Sequence, residues 1–366
     1  MVHLYDVVPR KPLTENIWDG YVRYQSSPDG SRMILNYTNK AQYENEWNEV
    51  TRKTRGLIIN TYTEKVVARP FEKFFNWSQI PMEQQAGLMN EPADVYTKWD
   101  GSLGILYGLH TGEHRIATRG SFTSPQALHA TDVLQTKYPT FEPIQGLTYL
   151  FEIVYPENRI VVDYKSMDDL VLLAVIDTQT GKTLPKDTYD WPGPWNAPVG
   201  YYSSLAEVLT APQEHNHEGF VVHFPESDLR VKWKFDEYVR LHRILTNVST
   251  LSVWDALANG QGIESWIDHV PDEFYTWVHK QVHRLESDFE RQQKAADEEF
   301  AWIKKRVRVP EWDRDARKQF ALLAQQSEYK DVLFGLYDGK DVSRRLWQRV
   351  RPVYDKPFAA PSEDAS

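Results

Sequence analysis

Val95-Tyr96-Thr97-Lys98-Trp99-Asp100-Gly101-Ser102-Leu103-Gly104-Ile105-Leu106-Tyr107-Gly108-Leu109 is the stretch that decides how the chain is read. A β-branched and aromatic run ends at a lysine, an Asp-Gly turn follows, and an apolar run resumes. That texture predicts two strands, 95–98 and 103–109. With Arg115–Thr118 they read as a meander, and His110–His114 forms one of its turns. Similar runs recur outward from this point. Leu57–Asn60 and Val66–Ala68 flank a polar turn, and Leu147–Tyr155, Leu170–Ile176, Gly219–Phe224 and Arg230–Phe235 complete the set. Residues 183–200 hold four prolines and two glycines and read as a loop.

Beyond about residue 240 the apolar period changes from two to about 3.6. Ile267, Val270, Phe274, Trp277, Val278, Val282, Leu285 and Phe289 mark one face of a long helix that starts near Pro271. Residues 314–350 read as further helices, and the tail from about 357 as disordered. The predicted architecture is α+β: an antiparallel-β-rich domain over 1–244, then an all-α domain over 245–366.

Composition narrows the function classes. The 366 residues are 41% hydrophobic and 26% charged, an ordinary soluble globular balance. No run of 18 apolar residues exists, so no membrane span is expected. Residues 1–13 lack an apolar core of signal-peptide length, which argues against secretion. The absence of cysteine excludes disulfides, thiolate zinc sites and cysteine nucleophiles. A net charge of −10 speaks against a non-specific DNA coat but not against a local basic site. Thirteen Trp and 20 Tyr could stack bases, sugars or one another. There is no P-loop, because Gly181-Lys182-Thr183 lacks the upstream glycine, and no G-x-G-x-x-G or H-E-x-x-H. His215 and His217, two apart and without a third partner, make a poor metal site.

Four elements carry chemistry. Lys98-Trp99-Asp100-Gly101 could be a hairpin corner with a solvated lysine. It could also present a nucleophile that attacks a nucleotide α-phosphorus. Attack needs a neutral amine. With a pKa of about 10.4, roughly one lysine in a thousand is neutral near pH 7.4, a deficit of about 4 kcal/mol. Nearby cations or a metal would have to depress the pKa. Lys232 and Lys234 in Val231-Lys232-Trp233-Lys234 share one strand face and are the candidate cations, with a solvated face as the alternative. Glu152 in Phe151-Glu152-Ile153-Val154 and Glu218 in Glu218-Gly219-Phe220-Val221 sit in apolar strands, either at an exposed edge or aimed into a site.

Order and combination sharpen this. The chain gives Arg55-Gly56, then Arg69-Pro70-Phe71-Glu72-Lys73-Phe74-Phe75-Asn76, then Lys98-Trp99-Asp100-Gly101-Ser102 and Arg119-Gly120-Ser121. Phe151-Glu152, Glu218-Gly219-Phe220-Val221 and Val231-Lys232-Trp233-Lys234 follow. This resembles the covalent nucleotidyltransferase superfamily of ATP-dependent ligases and capping enzymes. Within it the chain resembles the phage-type RNA ligase 1 family, the tRNA-repair ligases of T-even phages. The runs at 69–76, 119–128 and 237–242 are more specific to that family than the lysine motif. The resemblance covers about 35–245. The region 245–366 fits the family's C-terminal domain in length and texture, without a motif.

The resemblance implies an adenylyltransferase domain over 1–244 and a role for each position. Lys98 would carry AMP. Arg55 and Lys73 would hold ATP phosphates, Phe75 would pack the nucleotide and Tyr37 would contact it. Glu152 would hold the ribose hydroxyls. Glu218 would act through Mg²⁺ or Mn²⁺ and its waters. Lys232 and Lys234 would bind the α-phosphate and depress the nucleophile's pKa, and Arg119 adds a further positive charge. The implied enzyme is a cytoplasmic, monomeric ATP-dependent RNA ligase. It would join 3′-hydroxyl and 5′-phosphate ends of single-stranded or nicked tRNA-like RNA in RNA repair. A DNA ligase or capping enzyme is the alternative within the superfamily, but both continue into an OB-type barrel where this chain turns helical. A non-catalytic RNA-binding protein is the alternative outside it, and the intact set of acidic and basic positions counts against that. A carbohydrate-directed enzyme lacks a carboxylate pair. In the helical region, residues 304–308 with Trp302, and Arg344, Arg345, Arg349 and Arg351 with Trp347, are two basic-aromatic clusters suited to RNA.

Overall fold

The structure, a computed structural model, describes residues 2–89, 91–263, 272–307 and 314–355. These fall into two units that part between His242 and Arg243. The first is built on three four-stranded sheets. One has the order β1 (Val22–Ser26), β2 (Arg32–Tyr37), β3 (Arg55–Asn60), β4 (Val66–Ala68). The second runs β10 (Asp169–Asp177), β9 (Leu147–Val154), β7 (Ser102–Gly108), β8 (His114–Ala117). The third runs β5 (Phe75–Asn76), β12 (Leu229–Lys234), β11 (Gly219–Phe224), β6 (Asp94–Thr97). All pairs are antiparallel except β5 with β12.

Strand alternation builds the core. Leu103, Ile105 and Tyr107 of β7 face Ile34 and Ile58 of the first sheet. Leu106 faces the opposite side, with Tyr149, Phe151 and Ile153 of β9. A bulge between Leu172 and Ala174 shifts β10 by one residue. Leu170 and Leu172 therefore face one layer, while Ala174 and Ile176 face the other. Helix α6 (Pro125–Lys137) closes the outer face of the second sheet with Ala130, Val133 and Leu134. It starts where Ser124 caps the Ala127 N–H and Pro125 occupies the first turn. The outer face of the first sheet is covered by α1 (Leu4–Val7), α2 (Arg10–Trp18) and, through Val50, α4 (Glu49–Lys53). The short α3 (Asn39–Tyr43), α5 (Met82–Leu88) and α7 (Leu205–Leu209) lie in connections.

One expectation is corrected. Residues 95–98 and 103–109 do not form a meander. β6 pairs with β11 in the third sheet, and β7 pairs with β8 and β9 in the second. Asp100-Gly101 is therefore a crossing between two sheets rather than a hairpin corner. Gly101 makes the crossing possible, because a Cβ there would lie 2.5 Å from the Ile153 carbonyl oxygen of β9.

The second unit is helical, and the unit boundary falls within α8 (Asp236–Asn247). There follow α9 (Thr250–Ala258), α10 (Asp272–Arg306), α11 (Arg314–Ala324), α12 (Lys330–Tyr337) and α13 (Ser343–Arg349). Phe274, Val278 and Leu285 are buried along α10, as their spacing predicts. Ala296 and Ile303 of α10 pack with Phe320, Leu333 and Leu346 of the later helices. Ile267, Val270, Pro271, Arg308 and the tail from 357 lie outside the described residues. Among the described residues no helix is long and apolar enough to cross a membrane.

Candidate active site

The strand pattern that ends β6 at Thr97 places Lys98 opposite the start of β11. The Lys98 N–H donates to the Gly219 carbonyl at 2.9 Å. Lys98 Nζ lies 2.7 Å from Glu218 Oε2, and Lys234 Nζ lies 2.7 Å from Glu218 Oε1. One buried carboxylate thus joins both lysines. Gly219 lets the hairpin close here. Its φ is +134°, and a Cβ would lie 2.1 Å from the Trp233 carbonyl oxygen.

Asp100 fixes the crossing loop. Its Oδ2 accepts from the Val161 and Val162 N–H groups at 2.8 and 2.9 Å, and its Oδ1 accepts from the Tyr238 hydroxyl at 2.7 Å. The Asp100 N–H donates to the Tyr164 hydroxyl, whose ring stacks on Trp99 at 4.9 Å. The Gly101 N–H donates to Glu152 Oε1 at 2.9 Å. Tyr238 stands in the family-like run 237–242 with no role assigned to it from sequence, and Tyr164 has no local signal. Their role depends on Asp100, which is 64 and 138 residues away in sequence.

The remaining candidates converge on the same region. Lys232 Nζ lies over the Phe74 ring at 4.5 Å, and Arg55 lies over the same ring at 5.6 Å. Lys73 Nζ lies 5.4 Å from the centre of Tyr37, 5.6 Å from Phe75 and 4.6 Å from Trp47. Arg119 lies over Tyr37 at 4.8 Å and donates to its hydroxyl. Trp47 was missed, since a single tryptophan in a polar stretch carries no local signal. His217 packs on Phe220 and Phe235.

Electrostatics corrects the expected state of the nucleophile. Burial alone would lower the Lys98 pKa. Glu218, Glu152 and Asp100 outweigh it, and the amine is held above its ordinary 10.5. The expectation that Lys232 and Lys234 depress it is therefore not met, because the Glu218 carboxylate is in direct contact with the amine. Glu218, though buried, is held low by Lys98 and Lys234. Burial raises Glu152 to about 8. Lys232 is driven well below the lysine range by burial and by Arg55, Lys98, Lys73 and Lys234. Lys73 is lowered by burial, with Arg55 and Arg119 adding repulsion.

A pH titration follows. A raised pKa means a smaller neutral fraction than free lysine at every pH below it. Competitive acetylation of Lys98 should titrate above 10.5. In Glu218→Gln, burial and the neighbouring cations should move it below that value. A wild-type curve below ordinary lysine would contradict the ion pair.

Residues 53–239 match the sequence model of the T4-type RNA ligase family, half of the chain. The chain belongs to this family. The matched segment holds Arg55, Lys73, Phe75, Lys98, Glu152, Glu218, Lys232 and Lys234, whereas Tyr37 and Trp47 precede it. A protein of Thermovibrio ammonificans provisionally assigned as an RNA ligase is 29% identical over 207 residues, 53% of this chain and 54% of its own. A protein of Autographa californica nuclear polyhedrosis virus provisionally assigned as a bifunctional polynucleotide kinase/RNA ligase is 27% identical, over 63% of this chain and 36% of its own. The RNA ligase of Rhodothermus phage RM378 is 23% identical, over 78% of this chain and 81% of its own. The chain thus spans about half and about a third of the first two relatives.

Proposed function

We propose that this protein is an ATP-dependent RNA ligase that joins a 3′-hydroxyl to a 5′-phosphate through lysyl-AMP and RNA-adenylate. The observation that carries the reading is Lys98, half-buried and held by the buried Glu218 carboxylate beside Lys232 and Lys234 within the family-matched segment. In the first step the neutral Lys98 amine attacks the α-phosphorus of ATP. A P–N bond forms, the P–O bond to pyrophosphate breaks, and the amine loses its proton. An RNA 5′-phosphate oxygen then takes the AMP and releases Lys98. The RNA 3′-hydroxyl attacks that phosphate and expels AMP.

Lys232 and Lys234 would bind the α-phosphate, Arg55 and Lys73 the outer phosphates, and Glu152 the ribose hydroxyls, with Tyr37 and Phe75 against the nucleotide. Lys232 is repelled by Arg55, Lys98, Lys73 and Lys234, a concentration of charge that a triphosphate neutralises. Among the described residues no group of three or more metal-ligating side chains exists. Glu218, with substrate phosphates and water, fits the sparse protein ligation typical of Mg²⁺ and would hold Mg²⁺ or Mn²⁺. Such an ion supplies charge neutralisation at the phosphate oxygens. The test is joining of a 5′-phosphorylated, 3′-hydroxyl RNA with ATP. Ligated RNA without ligated DNA of the same sequence is expected, and RNA left unjoined would overturn the reading.

The setting we infer is repair of broken RNA, tRNA included, by a cytoplasmic monomer. It rests on the resemblance to tRNA-repair ligases. In the helical unit, Trp302 is 48% exposed and carries the Arg306 guanidinium 3.7 Å above its ring. With Lys305, three residues on, it offers a stacking face beside positive charge, whereas Lys304 lies over Phe300. The second expected cluster differs. Arg345 is bonded to the Asp331 carbonyl and Arg349 to the Glu328 carbonyl. Arg351 lies over Trp254, and Trp347 is buried against Phe289. Its aromatic ring is spent on packing. Trp302→Ala combined with Arg306→Ala should leave lysyl-AMP formation intact and lower joining of a nicked RNA loop by about tenfold. Joining assays on looped and linear RNA check this, and unchanged loop joining would contradict it.

A further inference from the structure

We propose that Trp47 is a positioning residue of the nucleotide site, acting through Lys73, an inference that rests on the ligase reading above. Lys73 is a flexible lysine half-buried beside Arg55 and Arg119, both of which repel it. Three rings surround its amine, with centres at 4.6 Å for Trp47, 5.4 Å for Tyr37 and 5.6 Å for Phe75. Trp47 is the common member. It meets Tyr37 edge-on at 5.0 Å and 88°, and Phe75 at 5.6 Å and 73°. Its removal therefore withdraws one ring from the amine and the support of the other two.

The backbone ties the same pair together. Trp47 immediately precedes Asn48, whose side chain accepts from the Val50 and Thr51 N–H groups at 2.9 and 3.0 Å and caps α4. At the far end of that helix the Arg52 carbonyl accepts the Lys73 N–H at 2.8 Å. One capped turn thus holds the ring at one end and the lysine at the other. An ammonium is drawn to ring faces by their quadrupole, so the cage holds a charge that its cationic neighbours push away. A phosphate-directed lysine held in place before the nucleotide arrives needs no reorganisation when it binds.

The experiment measures lysyl-AMP formation against ATP concentration for wild type, Trp47→Phe, Trp47→Leu, Lys73→Met and the double variant Trp47→Leu/Lys73→Met, with thermal unfolding of each. Trp47→Leu should raise the half-saturating ATP concentration by about tenfold, and Trp47→Phe, which keeps a ring face, by less than about threefold. The double variant should be no worse than Lys73→Met, because the two residues act as one unit. Additive losses in the double variant, or Trp47→Leu equal to wild type, would overturn the inference. Should Trp47→Leu fail to fold, site-specific fluorinated tryptophans at 47 keep the shape and weaken the ring face stepwise. Half-saturation should rise along that series, and a flat series overturns the inference. Wild-type protein that takes up no AMP overturns the ligase reading and this one with it. A normally labelled wild type with a flat series overturns this one alone.

Discussion

Lys98→Ala and Lys98→Arg proteins will form no covalent adenylate. Alanine has no nucleophile, and arginine stays protonated at any pH the protein survives. Both variants should fold. Glu218 keeps Lys234 as a partner at 2.7 Å, so loss of the Lys98 amine does not strand the carboxylate. The measurement is labelled ATP followed by denaturing electrophoresis, with thermal unfolding as the control. Label retained by either variant would remove Lys98 as the nucleophile.

Lys232→Ala should lower adenylation by about a hundredfold, on the order of 3 kcal/mol for one phosphate-directed charge in a water-poor site. Lys234→Ala should lose a comparable amount. Stability separates the two. Lys232 lies among cations, and burial and their repulsion disfavour its charged form. Removing it should raise the melting temperature while lowering activity, the trade-off of a side chain kept for its ligand. Lys234→Ala breaks one of the two ion pairs to Glu218 and should lower the melting temperature. Unfolding curves and labelling rates of the two variants check this. Near-wild-type adenylation in both would return the K-x-K face to the status of a solvated strand face.

The strands around Lys98 were legible because alternation is local. Gly219–Phe224 and Arg230–Phe235 read as strands with Lys232 and Lys234 on one face, and β11 and β12 pair Gly219 with Lys234 and Val221 with Lys232. Sheet membership was not legible. Nothing within 95–109 says that its two strands join different sheets, because β11, which pairs with β6, and β9, which pairs with β7 opposite β8, lie far away in sequence. Helix α6 was missed although Ser124-Pro125 is a cap followed by a first-turn proline. The β-rich runs of β8 and β9 flank that signal on both sides. The balance of charges around Lys98 was not legible for a related reason. Lys232 and Lys234 announce cations on one strand, whereas the distance from each to Glu218 depends on how β6, β11 and β12 lie side by side. Asp100 shows the same limit. In the sequence it is a turn residue, and in the fold it is the carboxylate that ties the loop after Lys98 to residues 161–162 and to Tyr238.

The central claim is that one lysine carries the nucleotide. Wild-type protein incubated with ATP and Mg²⁺, digested and mapped by mass spectrometry should show AMP on the peptide containing Lys98, released by acid and retained in alkali as a phosphoramidate is. AMP mapped to any other residue, or none on the protein at all, would contradict the account.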